Sequence, residues 1–278
     1  MPGRLIVCAT PIGNLGDASP RLAEALGSAD LILAEDTRRS STLMRSLGVT
    51  KPLRSYFAGN ENRRAVELAE LLQQGKVVAL ITDAGTPSIS DPGVSAVAAA
   101  RAAGATVTVV PGPSALTAAL SVSGLPSERF VFEGFLPKKG AERDERLAAL
   151  ATETRTTVLF AAPHQLRDDL TSLAVVAPQR PLCIARELTK MFEEVQWSTP
   201  AAAAAEWAAR EIQGEFTLVL GGGDPVPPDF HATIAEVLDE IEKGVQMSEA
   251  VRSVASRSGV ARRSLYEAVL ARTRETSP

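Results

Sequence analysis

The feature that most constrains this chain is the rhythm of its first 120 residues, where short, continuously apolar runs alternate with segments of helical pattern. RLIVCA is followed by a helix near Pro20 to Gly27, DLILAED by a helix across Arg38 to Gly48, and LRSYF by one from Asn60 to Gln74. VVALIT then precedes a helix from Gly93 to Ala103, and TVTVV precedes one starting at Pro113. A strand that is apolar along its whole length needs cover on both faces. With a helix after each strand, the expectation is a mostly parallel sheet sandwiched between helices.

The rhythm changes at SVSGLPSER, Ser121 to Arg129, a stretch of turn residues. Beyond it RFVFEGF, TRTTVLFAA, PLCIARE, FEEVQWS and EFTLVLGG read as strands, with helices at Glu142 to Ala151, Pro163 to Ala174 and Ala201 to Ile212. The expected organisation is α/β throughout: a domain over 1–120, a second α/β domain with a mixed sheet over 121–224, and a linker and helical tail over 225–278. The linker is marked by GGGDPVPPD, dense in glycine and proline. A chain of 278 residues, 45% of them hydrophobic, can build such cores without covalent staples.

Several function classes fall away on composition. The two cysteines, Cys8 and Cys183, lie far apart in apolar runs, which offers neither a disulfide framework nor a metal pair and points to a reducing compartment. His164 and His231 are too few and too distant in sequence to suggest a metal site, so no metal is expected. No apolar stretch approaches the roughly 20 residues that span a bilayer, and MPGRLIVCATP leads into a strand rather than a signal peptide. The expectation is a cytoplasmic protein without a membrane partner. Net charge is −4, but from Val245 to Pro278 six arginines stand against three glutamates, so the tail is +3 and the remainder −7. A basic tail on an acidic body is either a contact for an anionic partner or a solvated helix face.

In an open α/β sheet, ligands sit outside the carboxyl ends of strands. Three loops in that position are unusual together: TPIGNLGD at Thr10 to Asp17, DAGTPSISDPG at Asp83 to Gly93, and PGPSA at Pro111 to Ala115. Each alone could be ordinary turn chemistry. Together, after the first, fourth and fifth strands, they read as the lips of one small-molecule site. A dinucleotide site is the obvious competitor, because Glu35 and Asp36 end the second strand about 20 residues after Gly16, where a ribose-binding acid would stand. Pro11 occupies the position where that fingerprint needs its first glycine, which argues against it.

These loops, with AEDTRRS, YFAGNENR, GFLPKKGAERDERL, APHQL, ARELTKMFEE and GEFTLVLGG, resemble the tetrapyrrole methylase superfamily, and within it the bacterial 16S ribosomal RNA (cytidine-2′-O)-methyltransferase family. The resemblance runs in order along almost the whole chain. It implies two α/β domains with S-adenosylmethionine in the cleft between them, usually a homodimer, and a target cytidine in the decoding region of the small-subunit RNA. Matched motif by motif, it implies a cofactor lining of Pro11 and Gly13, then Asp83, Ala84 and Gly85 with Ile89, Ser90 and Asp91, then Ser114 and Ala115. Ala161, Ala162 and Glu187 from the second half complete that lining.

Methyl transfer to a ribose hydroxyl is an in-line displacement that needs alignment and removal of one proton. The candidates to assist, as base or nearby cation, are Asp36, Glu35 and Lys190, with Asp83 behind them; an acid of EDTR is favoured, although Glu35 or Asp36 could instead cap the helix beginning at Thr37, and Lys190 could equally contact a phosphate. Candidates for the RNA backbone are Arg38, Arg39, Lys138 and Lys139, with Arg63 and Arg64, together with Arg262 and Arg263 in a tail of helix-turn-helix spacing. That tail could equally pack Val251, Val254, Leu265 and Val269 against the body or a dimer mate. Two other functions stay open: methylation of a tetrapyrrole, and a non-catalytic nucleic-acid-binding regulator built on the tail.

Overall fold

The structure is a computed structural model that describes residues 2–224 and 229–275. Its contacts divide the chain into two compact units, Met1–Gly223 and Asp224–Pro278. Residues 225–228, the middle of the expected linker, and the last three residues of the tail lie outside the described residues.

The first unit begins as a regular alternation of strand and helix: β1 (Arg4–Cys8), α1 (Pro20–Ser28), β2 (Leu31–Ala34), α2 (Thr37–Ser46), β3 (Leu53–Ser55), α3 (Glu61–Gln73), β4 (Val77–Ile81), α4 (Val94–Ala102) and β5 (Thr106–Val110). The five strands pair in parallel in the order β3-β2-β4-β1-β5. Successive residues face opposite sides of a strand, so the apolar runs split into two cores. Ile6, Cys8, Ile32, Ala79 and Ile81 meet Leu22 and Leu26 of α1 and Met44 of α2 on one face. Leu5, Val7, Leu33, Val78 and Leu80 meet Leu68 and Leu72 of α3 and Ala96 and Ala100 of α4 on the other. This is the sandwich expected of continuously apolar strands.

The unit continues through α5 (Ala115–Ser123), β6 (Phe130–Phe135), α6 (Ala141–Thr152), β7 (Thr156–Ala161), α7 (Leu166–Val176), β8 (Leu182–Arg186), β9 (Glu194–Ser198), α8 (Pro200–Trp207) and β10 (Phe216–Leu220). These strands form a second, mixed sheet in the order β6-β7-β10-β8-β9, in which only the β6–β7 pairing is parallel. Leu159, Ile184 and Leu218 pack on Leu166 and Leu170 of α7 and Trp207 of α8. Val158, Cys183, Ala185 and Val219 pack on Leu116, Ala119 and Leu120 of α5. A boundary at residue 120 therefore runs through α5, a helix whose apolar face covers the second sheet, so by packing the division between the sheets falls ahead of it. Burial pushes the Cys8 thiol up to about 12 and that of Cys183 up to about 11, which leaves both as inert core residues.

The second unit holds α9 (Phe230–Glu242), α10 (Met247–Ser258) and α11 (Arg262–Glu275). Gly259, at φ 73°, closes α10 in the left-handed conformation that suits glycine. Val251, Val254, Leu265 and Val269 are buried against one another and against Ile234 and Val237 of α9, so the three helices make a core of their own.

Candidate active site

The parallel order explains why three loops scattered in sequence converge. β4, β1 and β5 are adjacent, so their carboxyl ends line up along one edge. Thr10 and Gly85 exchange backbone hydrogen bonds of 2.8 and 3.1 Å, joining the first loop to the second. Thr86 Oγ1 donates to the Pro113 carbonyl at 3.2 Å, joining the second to the third.

The second loop is built under backbone strain. Gly85 has φ 87°, and Ser88 and Ser90 hold φ values of 73° and 62° without being glycine. Glycine takes such a conformation freely, whereas for each serine it costs about 1–3 kcal/mol and persists only where surrounding structure enforces it, often at ligand sites. Opposite lies a β-bulge in β6, where the register shifts between Phe132 and Gly134 and a Cβ at Gly134 would sit 3.5 Å from Ser90 Oγ.

Between these loops and the second sheet is a cavity of about 360 Å³, within the size range of small-molecule and cofactor sites. On one side it is lined by Ile12, Asp83, Ala84, Gly85, Thr86, Ile89, Ser90, Asp91, Ser114 and Ala115, with Glu35 and Arg39 reaching in. On the other stand Phe135, Phe160, Ala161, Ala162, Pro163, Glu215, Phe216 and Thr217. Most of this wall is backbone, alanine and phenylalanine. Ser114 precedes α5 and its side chain makes no cap, so the first N–H groups of α5 have no partner in the helix and lie beside the cavity, a setting that favours a carboxylate.

The acids here differ sharply. Asp36 caps α2, accepting from the Arg38 N–H at 2.8 Å and pairing with the Arg38 guanidinium at 3.0 Å. Hydrogen bonds from that guanidinium, then from the backbone N–H, hold its carboxyl down at about 2. Glu35 faces the cavity and accepts from Thr82 Oγ1 at 2.8 Å. The same hydroxyl lies 2.7 Å from Asp91 Oδ2. Burial, reinforced by the charges of Glu35 and Asp83 and opposed by the Thr82 hydrogen bond, pushes Asp91 up to about 6. Asp83 is also raised, mainly by burial, while accepting from the Asp36 N–H at 3.0 Å and facing Arg39 at 3.3 Å.

A sequence model of the tetrapyrrole (corrin/porphyrin) methylases matches residues 4–205. The chain belongs to this family. A Mycobacterium tuberculosis protein named ribosomal RNA small subunit methyltransferase I is 45% identical over 278 residues, covering 99% of this chain and 97% of that one. A Thermotoga maritima protein of the same name is 43% identical over 220 residues, covering 79% of this chain and 99% of its own. The fold is similar to that of a Thermus thermophilus uroporphyrin-III C-methyltransferase solved with S-adenosylhomocysteine, with a TM-score of 0.56 and 20% identity over 79% of this chain and 97% of that one.

For this methylase, ten of the residues expected around a cofactor do line the cavity: Asp83, Ala84, Gly85, Ile89, Ser90, Asp91, Ser114, Ala115, Ala161 and Ala162. Pro11, Gly13 and Glu187 do not. Pro11, within the first loop, is buried. Gly13 is a seat for Lys190, since a Cβ there would lie 2.4 Å from Lys190 Cγ. Glu187 accepts from Lys190 Nζ at 2.8 Å and from the Glu215 N–H at 2.8 Å. Lys190 is thus a strut: its Nζ also meets Glu215 at 2.9 Å, and although burial opposes its charge, the two carboxylates raise its pKa. An ammonium so engaged is no proton acceptor, which leaves it as a nearby cation or a structural strut. Asp36 does not line the cavity and caps α2.

The basic candidates are spread. Arg38 is 90% exposed and paired with Asp36, whereas Arg39 borders the cavity. Arg63 is exposed, and Arg64 is tied to Glu67 at 2.5 Å. Lys138 and Lys139 are exposed after β6, edging a shallow hollow of about 390 Å³ with Arg143, Asp144 and Asp168. Arg262 and Arg263 are exposed at the start of α11, with Arg263 paired to Glu267 at 3.0 Å.

The residues that loop reasoning missed come mostly from the second sheet. β10 runs antiparallel to β7, with Phe216 opposite Ala161 and Thr217 opposite Phe160, so its amino-terminal end reaches the edge where β7 ends. A search of carboxyl ends alone passes over Glu215, Phe216 and Thr217. The signal was present in GEFTLVLGG, whose acid and aromatic precede a strand otherwise wholly apolar.

Proposed function

We propose that this tetrapyrrole methylase is an S-adenosylmethionine-dependent methyltransferase that modifies a ribose 2′-hydroxyl of a cytidine in the decoding region of 16S ribosomal RNA, as free RNA or within the small subunit. The observation that carries methyl transfer is the cavity itself, whose wall is rich in small residues and includes Glu35, an acid that among the described residues is not paired with a base, as Asp83 is with Arg39 and Glu215 with Lys190. The remaining acid, Asp91, is raised by burial. That wall suits the cofactor. Ala84, Gly85, Ala115, Ala161 and Ala162 leave room for a bulky nucleoside, Phe135 and Phe160 offer apolar surface, and the α5 N-terminus offers N–H groups to a carboxylate. When bound, the sulfonium supplies an electrophilic methyl carbon. The chain's own work is to hold the acceptor hydroxyl in line, exclude water and take up one proton at Glu35.

The choice of RNA over a small tetrapyrrole is supported by the names of the relatives and by the basic groups near the site and in the tail. Arg39 at the rim, with Arg38, Lys138 and Lys139, would contact phosphates, which position a strand without reading it. Arg262 and Arg263 of the second unit are further candidates for phosphate contact. A homodimer fits the open edge of the first sheet, where Val109 of β5 is 55% exposed. The deciding experiment maps 2′-O-methyl groups on ribosomal RNA from cells lacking the gene, with and without its restoration. Loss and return of one methylcytidine is the expected result. An unchanged map, with label passing to a precorrin instead, would transfer the assignment to tetrapyrrole methylation.

A further inference from the structure

Thr82 follows β4 immediately, and its side chain is buried between two acids from different elements. Its Oγ1 lies 2.8 Å from Glu35 Oε2, at the end of β2, and 2.7 Å from Asp91 Oδ2, in the loop before α4. A hydroxyl has one proton, so it can donate to only one of these carboxylates. The other contact is a hydrogen bond only when that carboxyl carries a proton of its own. Two arrangements satisfy both distances. In one, Asp91 is protonated and donates to Thr82, which donates to Glu35; in the other, Glu35 is protonated and the direction reverses. Each holds one proton for the pair, and they interchange by moving two protons along a single line. With no proton, one of the two short contacts sets lone pair against lone pair. Uptake of one proton turns that repulsion into a hydrogen bond, so the pair is a better acceptor than either acid alone.

On the functional reading above, we propose that Glu35, Thr82 and Asp91 form a proton relay: Glu35 takes the proton of the attacking ribose hydroxyl and passes a proton to Thr82 Oγ1 as Thr82 gives its own to Asp91, so the threonine stays a hydroxyl. The step balances. The O–H bond breaks as the oxygen forms its bond to the methyl carbon, the electron pair of the carbon–sulfur bond returns to the sulfonium sulfur, and the proton stays on the carboxyl pair until water removes it. Glu35 is the catalytic residue; Thr82 and Asp91 are positioning residues that act through it.

The surroundings favour proton uptake. Asp83 comes from the same loop as Asp91, Asp36 stands at the head of α2, and Glu215 lines the opposite wall. Against these acids stands the Arg39 guanidinium, 3.3 Å from Asp83 and bordering the cavity.

The test uses the full-length protein with ¹³C-labelled carboxyl groups, titrated by NMR from about pH 4 to 8 in the absence of ligand, as wild type, Thr82→Val and Thr82→Ser. The expected result is that the Glu35 and Asp91 carbons respond together to one proton uptake with a common midpoint. In Thr82→Val the two should titrate separately, and Thr82→Ser should restore the common event. Independent titrations in the wild type would overturn the relay. Should Thr82→Val fail to fold, Asp91→Asn replaces it; there the Glu35 response should no longer coincide with the wild-type event. A second arm measures single-turnover transfer to 16S RNA against pH. Thr82→Val should lower the rate at neutral pH at least tenfold and shift the acid limb, with cofactor KM unchanged within threefold and Thr82→Ser close to wild type. A Thr82→Val profile that superimposes on the wild type also overturns the relay. If the wild type methylates no RNA, the functional reading fails, and the NMR arm still decides the relay.

Discussion

At the scale of single residues, the acids of EDTR show how neighbours in sequence acquire different chemistry. Asp36 is spent on the first turn of α2, held near 2 by Arg38, while Glu35 faces the cavity. Asp36→Asn keeps a capping oxygen, so methyl transfer is expected within about threefold of wild type. Glu35→Gln keeps the shape and loses the proton acceptor, and a loss of 10²-fold or more in single-turnover rate is expected, in line with general-base catalysis. Equal losses in the two variants would reverse the assignment. Asp91 provides a separate check on stability. Its pKa is raised from 3.8 to about 6 on folding, so between those values the folded state binds more protons than the unfolded state, and stability falls as pH rises through the window. Asp91→Asn removes that dependence. Allowing for partial exposure, a gain on the order of 1 kcal/mol is expected at pH 8, disappearing near pH 4, measured by urea unfolding at both pH values.

At the scale of elements, the alternation of strand and helix was legible because continuously apolar runs such as VVALI and LILA have few other ways to bury both faces. The three loops were legible because glycine, proline and small polar residues crowd the ends of β1, β4 and β5. Two things were hidden. The antiparallel β10 places Glu215 and Phe216 at the site from its amino-terminal end, a consequence of pairing that no local pattern encodes. Nor does a charge in sequence reveal its partners: only the fold shows Glu187 and Glu215 on Lys190. Lys190→Met keeps the aliphatic stem over Gly13 and deletes the strut, so faster amide hydrogen exchange is expected at residues 187–193, with a stability loss of about 1–2 kcal/mol. Wild-type exchange in that segment would show the ion pairs to be idle. In the second loop, Gly85→Val puts a β-branched residue at φ 87°, a conformation such residues avoid. Cofactor affinity by calorimetry should fall at least tenfold, and an unchanged affinity would detach this loop from the site.

At the scale of the whole molecule, the division of labour between the two units can be argued from length and charge. The Thermotoga maritima relative is covered over 99% of its own length by a match of 220 residues, close to the extent of the first unit, Met1–Gly223. A protein of that size has no counterpart for about a fifth of this chain. Every residue lining the cavity belongs to the first unit, and the three helices of the second bury their own core. The cavity lining therefore needs nothing from the second unit, whose basic residues are tested separately. Arg257 is already neutralised by Glu236 and Glu240, at 2.6 and 2.8 Å, and Arg263 shares its charge with Glu267, whereas Arg262 has no ion-pair partner among the described residues. Arg262→Ala with Arg263→Ala should leave cofactor affinity unchanged and weaken RNA binding at low salt. The slope of log K against log salt should become shallower by between about 0.7 and 1.4, because each phosphate contact to a single strand contributes about 0.7 and Arg263 is partly compensated. A slope identical to wild type would show that α11 meets no phosphate and would leave the backbone contacts to Arg39, Lys138 and Lys139 on the first unit.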